Sequence, residues 1–496
     1  MMNALSTQLA SLHLDSLQFP SLHFYSNSAF LFFDFCIFQL ALPMAILFFI
    51  FGLDDLFIDL IALVAKLRPE RLSPEAYQHI AQLPEKRMAV LIASWKEGGI
   101  LKKMIQGNLE VLQYKNFDFF LGVYPNDLDT IQEAHALSSQ FSKVFVVLNS
   151  LNGPTSKGQM LNQIVKAIFS QEKERKVRYD SFLIHDSEDL IHPFAFKIMN
   201  WYLSSYDFVQ IPVFSLMVSA RSWVAGTYID EFSEAHTKDL LVRSYLGVSI
   251  PSAGVGTALS RRLVQNYCKN QAGDLLNSET LTEDYELGVS TGSFGFESKF
   301  ACTYFVTDAG RHEYIATREY FPKSFARSIR QKTRWTLGIS FQGWEHLGWS
   351  GDLKQLYFLY RDRKGPFCNA LAGIGLCFFL YCLMRMSQDG LFLSHLGRNS
   401  GLVSLFLVNL IFMINRMIIR MRSVYWIYGA KMALGVPVRF PLANCINAIA
   451  AFKATQQYLQ IRFFSKQPVW IKTDHELPAE FGQSTLTDSK IEKIAS

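Results

Sequence analysis

The sequence predicts an α/β fold in which helices cover both faces of a mostly parallel, doubly wound sheet, with transmembrane and interfacial helices outside that domain. Between residues 88 and 214, short apolar runs alternate with longer amphipathic stretches of the length that βαβ units need. Half of the 496 residues are hydrophobic, which is too apolar for a wholly soluble chain. Polar residues follow the predicted strands at the ends where open α/β sheets collect ligands.

The first membrane element is a transmembrane helix with its helix end, in residues 30–66. From Phe30 to Phe51 the only charge is Asp34, so this run can cross a hydrocarbon core about 30 Å thick. Residues 1–29 contain no Lys or Arg, which argues against a signal peptide and predicts a periplasmic N-terminal segment. Because basic residues follow the helix, the next domain is expected in the cytoplasm.

A transmembrane hairpin is predicted in residues 366–419, because two apolar runs there carry basic residues on both outer flanks. Re-entrant or interfacial helices are predicted in residues 423–465, and a polar cytoplasmic tail in residues 466–496. Residues 423–465 contain an amphipathic stripe, which fits a helix on the membrane surface and a core-packing helix equally well. The stripe consists of Leu442, Ile446, Ile449, Phe452, Leu459 and Phe463.

Charge and cysteine usage exclude some classes of function. The net charge of +5 is small for this length, and the basic residues flank apolar segments, which indicates contact with membrane lipid and no nucleic acid. Seven cysteines without a CxxC spacing predict neither a disulfide framework nor a zinc site.

Five strands are predicted in the domain at residues 84–349. They are Met88 to Ala93, Phe119 to Tyr124, Lys143 to Leu148, Ser181 to His185 and Phe208 to Phe214. The third strand is followed by a Gly-rich turn and Lys157, near the start of a helix, where a phosphate can bind. The turn lacks the Walker spacing, and a solvated lysine explains Lys157 equally well.

The fourth strand runs into the acidic residues Asp186 and Glu188. Two residues apart on an extended backbone, they point the same way and can share one hard cation through oxygen ligands. Taken alone, an acidic surface turn explains this cluster at least as well.

A helix is predicted to begin near Thr282, which is a candidate N-cap. Glu283 and Asp284 then fall in the first turn, where the helix dipole favours carboxylates. Capping alone would explain both.

Gln331, Arg334 and Trp335 share one face of a later, basic helix. An amide, a guanidinium and an indole would therefore converge on one ligand. The alternative is an interfacial helix that lies on anionic lipid.

In this order, the clusters resemble those of the processive family 2 glycosyltransferases of the GT-A fold, the cellulose and hyaluronan synthase type. The resemblance covers roughly residues 88–349 and is closest to the inner-membrane phage adsorption protein B group, through residues 185–193, 331–338 and 341–345. The family places an acidic residue after the second strand, then Asp-x-Asp, Thr-Glu-Asp and Gln-x-x-Arg-Trp. Their counterparts are Asp127, Asp186 with Glu188, Thr282-Glu283-Asp284, and Gln331, Arg334 and Trp335.

This resemblance implies an inverting, metal-dependent hexosyltransferase that uses a UDP-sugar donor. Asp186 and Glu188 would hold Mg²⁺ or Mn²⁺, although Glu188 stands where the family has Asp and reaches further. Asp284 would be the general base, and Glu283 would orient it. The implied donor-binding residues are Glu97, Asp127, Lys157 and Asp186; Gln331 and Arg334 would hold the diphosphate and Trp335 the acceptor sugar.

The implied product is an exopolysaccharide, polymerised at the bacterial inner membrane from an N-acetylhexosamine and exported. Expected partners are a polysaccharide or lipid-linked acceptor, an export partner in the outer envelope, and a separate cyclic di-GMP regulator. This last expectation arises because the chain ends without the regulatory domain that members of the group often carry. The alternatives are a non-processive transferase that acts on a lipid carrier and an inactive transferase-fold component of an envelope receptor.

Overall fold

The structure is a computed structural model that describes residues 28–308, 310–388 and 397–464. The predicted polar tail at residues 466–496 and all but the end of the predicted N-terminal segment at residues 1–29 lie outside the described residues.

The described residues form thirteen strands, numbered β1 to β13 in chain order. They are Glu70–Arg71, Met88–Ala93, Phe117–Val123, Val144–Leu148, Ser181–His185, Leu190–Ile191, Phe208–Gln210, Val213–Ser215, Thr257–Ser260, Ser298–Phe300, Thr303–Val306, His312–Tyr314 and Thr317–Glu319.

Helices precede, alternate with and follow these strands. Before residue 250 they are Ser28–Val64, Pro74–Gln82, Leu101–Val111, Leu128–Gln140, Lys157–Arg175, Ala195–Tyr202, Trp223–Glu234 and Leu240–Tyr245, the last two joined by a π turn at Ala235–Asp239. After it they are Arg261–Asn270, Glu283–Ser290, Phe325–Thr336, a π turn at Leu337–Gln342, Gly343–Leu347, Leu353–Arg363, Gly365–Gln388, Ser400–Tyr428, Ala430–Ala433 and Val436–Phe464. A 3₁₀ turn lies at Thr291–Phe294.

The central sheet has seven strands in the order β10-β7-β9-β5-β2-β3-β4. Strands β5, β2, β3 and β4 are parallel, and β9 runs antiparallel to both β5 and β7. Strand β10 is parallel to β7. The predicted mostly parallel α/β sheet is therefore confirmed, with one antiparallel strand inside it.

The sheet is covered on both faces, as its continuously apolar strands predict. Successive residues point to opposite faces, so Phe119 and Leu183 enter one core cluster while Phe120 and Ile184 enter the other. All four side chains are fully buried or nearly so.

The predicted fifth strand is wrong in extent, because Pro212 divides it. Proline has no N–H to donate to a strand ladder, and the chain leaves the central sheet after β7. Strand β8 then joins a second sheet of order β6-β13-β8, beside the end of β5. The sequence analysis also missed β9, which is only four residues long.

Within the described residues, three helices are long and apolar enough to cross a membrane: Phe32–Val64, Gly365–Ser387 and Ser400–Tyr428. The first belongs to a continuous helix of 37 residues that extends past the predicted apolar run. At about 1.5 Å per residue, this helix is longer than a hydrocarbon core requires. Its final turns carry three aspartates that form ion pairs with later segments. Asp54 pairs with Arg361 and Lys364, Asp55 pairs with Arg416, and Asp59 pairs with Lys238.

The helix Val436–Phe464 packs closely against Gly365–Gln388. A Cβ on Gly373 would lie 2.5 Å from the Cβ of Ala448, so the two backbones approach each other there. The residues of the predicted amphipathic stripe do not share one environment, because Ile446 is buried while Phe452 and Phe463 are exposed. Whether this helix lies at a membrane surface stays a prediction.

Candidate active site

The acidic turn after β5 is held in shape by Asp189. Its Oδ2 atom accepts a hydrogen bond from the backbone N of Asp186 at 3.0 Å and lies 2.8 Å from His185 Nδ1. The side chains of His185 and Asp189 are fully buried. No role was predicted for Asp189 from the sequence, because its hydrogen bonds to His185 and to the backbone of Asp186 have no distinctive sequence pattern. In the structure, Asp189 fixes the backbone conformation at Asp186 and so helps to position the Asp186 side chain.

Lys157 lies directly opposite this turn. It begins the helix Lys157–Arg175, whose N-cap Ser156 accepts from Gln159 N at 3.2 Å. Its Nζ atom lies 2.5 Å from Asp186 Oδ1 and donates to the carbonyl of Gly254 at 2.8 Å. Burial alone lowers the pKa of Lys157, but the surrounding carboxylates, led by Asp186, raise it above its usual value. The ammonium therefore stays charged.

Gly254 joins this ion pair to Asp284. A Cβ on Gly254 would lie 2.5 Å from Asp284 Oδ2 and 3.6 Å from Lys157 Nζ. The residue also has a φ of +79°, which favours glycine. Lys157, Asp186 and Asp284 therefore meet around one backbone segment, although they come from distant parts of the chain.

Glu283 lies beside Asp284 and against the start of the Lys157 helix. Its Cγ would be 3.0 Å from a Cβ on Gly158. Burial, and then the charge of Asp284, raise the pKa of Glu283 to about 7. Burial also raises the pKa of Asp284, against the opposing effects of Lys157 and Arg334. Two carboxylates with raised pKa values are unusual at a solvated helix start and typical of a functional site.

Capping does not account for this pair. Thr282 is the N-cap residue, as predicted, but its side chain makes no capping hydrogen bond. Asp284 Oδ1 accepts from the backbone N of Tyr285 at 2.8 Å, which leaves Oδ2 directed at Gly254.

Glu188 is buried behind Asp186. Burial raises the pKa of Glu188 well above its usual value, and the charges of Asp186, Glu319 and Glu97 raise it further. Glu319 was not found from the sequence. It ends β13, whose neighbouring residue Arg318 pairs with Leu190, just after the acidic turn. Strand pairing between segments distant in the chain brings Glu319 to the site, and no local sequence pattern predicts such a pairing.

Glu97 and Asp127 come from the adjacent loops after β2 and β3. Asp127 accepts from the backbone N of Lys96 at 2.5 Å and from Thr130 N at 3.5 Å, which caps the helix Leu128–Gln140. The N of Glu97 donates to Thr130 Oγ1 at 3.0 Å. The two loops are therefore fastened together at the edge of the sheet that carries the acidic turn.

The helix Phe325–Thr336 brings Arg334 to the site. Arg334 Nη1 donates to the carbonyl of Leu281 at 3.0 Å, and its charge lowers the pKa of both neighbouring carboxylates. Trp335 packs beside Tyr228 and Phe232, with ring centroids 6.0 and 6.1 Å away. Among the described residues, no hydrogen bond, ion pair or ring contact joins Gln331 or Trp335 to Lys157, Asp186 or Asp284.

Two cations outside the site begin the helix that follows β9. Arg261 and Arg262 form ion pairs with Glu172, in the helix Lys157–Arg175, and with Asp207, just before β7. Both contacts fasten this helix to neighbouring segments of the domain, so these cations are structural.

The sequence model of the family described as "Glycosyltransferase like family 2" matches residues 84–338 of the chain. The chain belongs to this family. The matched residues contain the acidic turn, Lys157, the Glu283–Asp284 pair and Arg334. Family 2 membership confirms the resemblance seen in the sequence.

Two curated relatives are similar to most of this glycosyltransferase-like chain. They are Bacteriophage adsorption protein B of Escherichia coli (strain K12) and Bacteriophage N4 adsorption protein B of Escherichia coli O157:H7. Each is 33% identical over 468 residues, which covers 90% of this chain and 63% of the relative. The chain thus spans less than two thirds of the length of these relatives.

Solved structures of glycosyltransferases are also similar. Mannosyltransferase PcManGT from Pyrobaculum calidifontis, in complex with GDP-Man and Mn²⁺, has a TM-score of 0.49 and 13% identity, over 75% of this chain and 99% of that one. S. aureus TarS 1-349, in complex with UDP-GlcNAc, has a TM-score of 0.35 and 10% identity, over 75% and 92%.

Proposed function

We propose that this chain is an inverting, metal-dependent glycosyltransferase of the bacterial inner membrane, with its catalytic domain in the cytoplasm and a UDP-sugar as donor. The observation that carries the proposal is the meeting of Lys157, Asp186 and Asp284 around Gly254. Transfer from a nucleotide diphosphate requires positive charge near the leaving diphosphate and a base near the acceptor hydroxyl. This arrangement supplies both within one partly buried site.

Asp284 is the proposed general base. Its raised pKa makes it a better proton acceptor than an ordinary aspartate, and its Oδ1 atom is fixed by Tyr285 N. It would take the proton of the acceptor hydroxyl as that oxygen attacks the anomeric carbon from the side opposite the diphosphate. The configuration at that carbon then inverts. Glu283, packed against Gly158, would hold Asp284 in orientation.

The cations of the site have a separate proposed role at the donor. Lys157 stays protonated, and Arg334 places a second permanent charge near the two carboxylates. With Gln331, they would hold the diphosphate as its negative charge grows. Glu97 and Asp127, in the two joined loops, would contact the nucleoside. Trp335 would stack its exposed part on the acceptor sugar.

Asp186 and Glu188 would hold Mg²⁺ or Mn²⁺. The donor set fits a hard cation, because Glu188 is buried among carboxylates whose mutual repulsion a cation would relieve. In the described ranges, no three His, Cys, Asp or Glu side chains form a ready ligand set. Two protein carboxylates completed by donor phosphates are the usual arrangement for Mg²⁺. When bound, the cation offsets charge on the leaving diphosphate.

The proposed product is an exported polysaccharide, built from an N-acetylhexosamine. It is supported by the link between the Arg334 helix and the apolar helices. Lys332 donates to Glu231 at 2.6 Å and to Asn447 of the helix Val436–Phe464 at 2.8 Å. That helix packs on Gly365–Gln388, a candidate membrane span. An acceptor bound at Trp335 would therefore lie close to the membrane.

The test is nucleotide release by membranes that contain the full chain, with a panel of UDP-sugars and GDP-mannose. We expect one UDP-sugar to release UDP, with loss of release on addition of EDTA and recovery with Mg²⁺ or Mn²⁺. The proposal would be contradicted if no UDP-sugar in the panel released UDP, or if EDTA left the release unchanged. Gel electrophoresis of the radiolabelled product separates a polymer from a single transfer to a lipid.

A further inference from the structure

We propose that Gln342 is a positioning residue, which sets the place of the Glu283–Asp284 pair by holding the backbone of Leu281. This inference rests on the proposed function and names a residue outside the Asp-x-Asp, Thr-Glu-Asp and Gln-x-x-Arg-Trp motifs, with no role assigned to it so far. Gln342 Oε1 accepts from the backbone N of Leu281 at 2.9 Å and from Thr280 Oγ1 at 3.4 Å. Arg334 Nη1 donates to the carbonyl of the same Leu281 at 3.0 Å. Both backbone polar groups of Leu281 are thus held by side chains from one helical segment.

The helix that carries Asp284 needs such support from outside. Its N-cap Thr282 makes no side-chain capping hydrogen bond, so the cap residue itself does not fix the start of the helix. Leu281 is the last residue before that N-cap. A side chain that fixes Leu281 therefore fixes the direction in which the helix starts.

A π turn brings Gln342 to this position. In the turn Leu337–Gln342, the N of Gly343 bonds to the carbonyl of Gly338, five residues back. A π turn contains an extra residue, which changes the direction of the side chains that follow it. Gln342, the last residue of the turn, is 9% exposed.

Two glycines, one in this π turn and one directly after it, lie against the residues that flank the carboxylate pair. A Cβ on Gly338 would lie 2.4 Å from Thr282 Oγ1, and a Cβ on Gly343 would lie 3.0 Å from Tyr285 Cε1. Thr282 and Tyr285 stand immediately before and after Glu283 and Asp284. The segment around the π turn therefore contacts the residues on both sides of Glu283 and Asp284. Gln342 adds the hydrogen bond that fixes Leu281, the residue through which the chain enters this helix.

The test compares Gln342→Met, which removes the acceptor oxygen, with Gln342→Glu, which keeps an oxygen at the same reach. Gln342→Asn is a third, shorter polar variant in case Gln342→Met does not fold. Gln140→Met is the matched control, because it removes only an exposed side-chain hydrogen bond with Gln106. For each full-length variant, UDP release is measured against donor concentration, with Tm in detergent.

We expect Gln342→Met or Gln342→Asn to lower kcat about tenfold, with the donor KM within about twofold of wild type. Gln342→Glu should recover most of the loss, and Gln140→Met should match wild type. A kcat within twofold of wild type in both Gln342→Met and Gln342→Asn would overturn the proposal. So would a loss in Gln342→Glu equal to that in Gln342→Met.

Hydrogen exchange separates failure of this inference from failure of the proposed function. The Leu281 amide should exchange at least about tenfold faster in Gln342→Met than in wild type, whether or not any UDP-sugar is turned over. An inactive wild type would contradict the transferase proposal alone. Unchanged exchange at Leu281 would contradict the positioning role, whatever the activity.

Discussion

Lys157 forms its ion pair with Asp186 while donating a hydrogen bond to Gly254, the residue against which Asp284 packs. One ammonium group therefore connects the end of β5, the turn before β9 and the helix Glu283–Ser290. Asp186 and Gly254 are 68 residues apart in the chain, and Gly254 and Asp284 are 30 residues apart. The position of one lysine thus determines how the acidic turn faces the proposed base.

Replacing this lysine should weaken donor binding. In Lys157→Met, the partly buried Asp186 loses its partner and the diphosphate loses a cation, so we expect the donor KM to rise about tenfold or more. Lys166→Met is the control, since Lys166 lies on the same helix in an exposed ion pair with Asp274. Kinetics of UDP release measure both. Equal donor KM values in the two variants would contradict the role of Lys157.

Asp284→Asn should keep donor binding and lose transfer. The amide has nearly the shape of the carboxylate but cannot accept the proton of the acceptor, so we expect kcat to fall about a hundredfold or more. Asp274→Asn, at an exposed ion pair, is the matched control. Donor affinity by calorimetry and turnover by UDP release are the two measurements. Near-normal turnover in Asp284→Asn would end its assignment as the base.

Glu283→Gln should change stability in a pH-dependent way. Because folding raises the pKa of Glu283 from 4.5 to about 7, the folded state binds a proton more tightly than the unfolded state between those pH values. Its stabilising contribution is present below pH 4.5 and is lost as the pH rises through 7. We expect Glu283→Gln to be more stable than wild type at pH 8, by about 1–3 kcal/mol, and similar to it near pH 5.

The measurement for Glu283→Gln is Tm in detergent across pH 5 to 8. If the Tm of Glu283→Gln differed from that of wild type by the same amount at pH 5 and pH 8, the buried charge of Glu283 would not be the cause of the difference. Activity should fall in the same variant, because a residue that costs stability at a functional site is usually kept for its function.

Gly338→Ala should displace the segment before the carboxylate pair. Its new Cβ would meet Thr282 atoms at 2.4–2.9 Å, so we expect a loss of about 1–3 kcal/mol in stability and a fall in UDP release. Gly365→Ala is the control, because a Cβ there meets only Ser340 Oγ, at 3.9 Å. A Gly338→Ala enzyme with normal Tm and normal activity would show that the contact can relax freely.

The sequence predicted those parts of the fold whose local pattern is strong. Strands Met88–Ala93 and Ser181–His185 have the predicted bounds, because each is a short apolar run between polar residues. The strand at Phe208 was predicted too long because the effect of Pro212 on pairing was not considered. The short strand Thr257–Ser260 was missed because its position between β5 and β7 depends on tertiary pairing.

The candidate site divides in the same way. Asp186, Glu283, Asp284 and Arg334 stand in short motifs and were found from the sequence, and the structure gathers them. Glu319 was missed, and Gln342 was noted only within residues 341–345 of the resemblance, because the importance of both depends on contacts with segments far away in the chain. Gly254 stands outside those motifs, in a turn of small residues, Gly254-Val255-Gly256-Thr257. That it must be glycine follows from its φ and from its contact with Asp284, neither of which a single sequence displays.

The ion pairs at the end of the helix Ser28–Val64 have a consequence for how the chain assembles. Asp54 is held by Arg361, 307 residues later, and Asp55 by Arg416, 361 residues later. Until those residues are synthesised, the first helix carries carboxylates without the cations that hold them in the finished protein. The helix Ser28–Val64 is therefore synthesised long before the residues that become its final neighbours, and a chain interrupted before residue 361 cannot complete this junction.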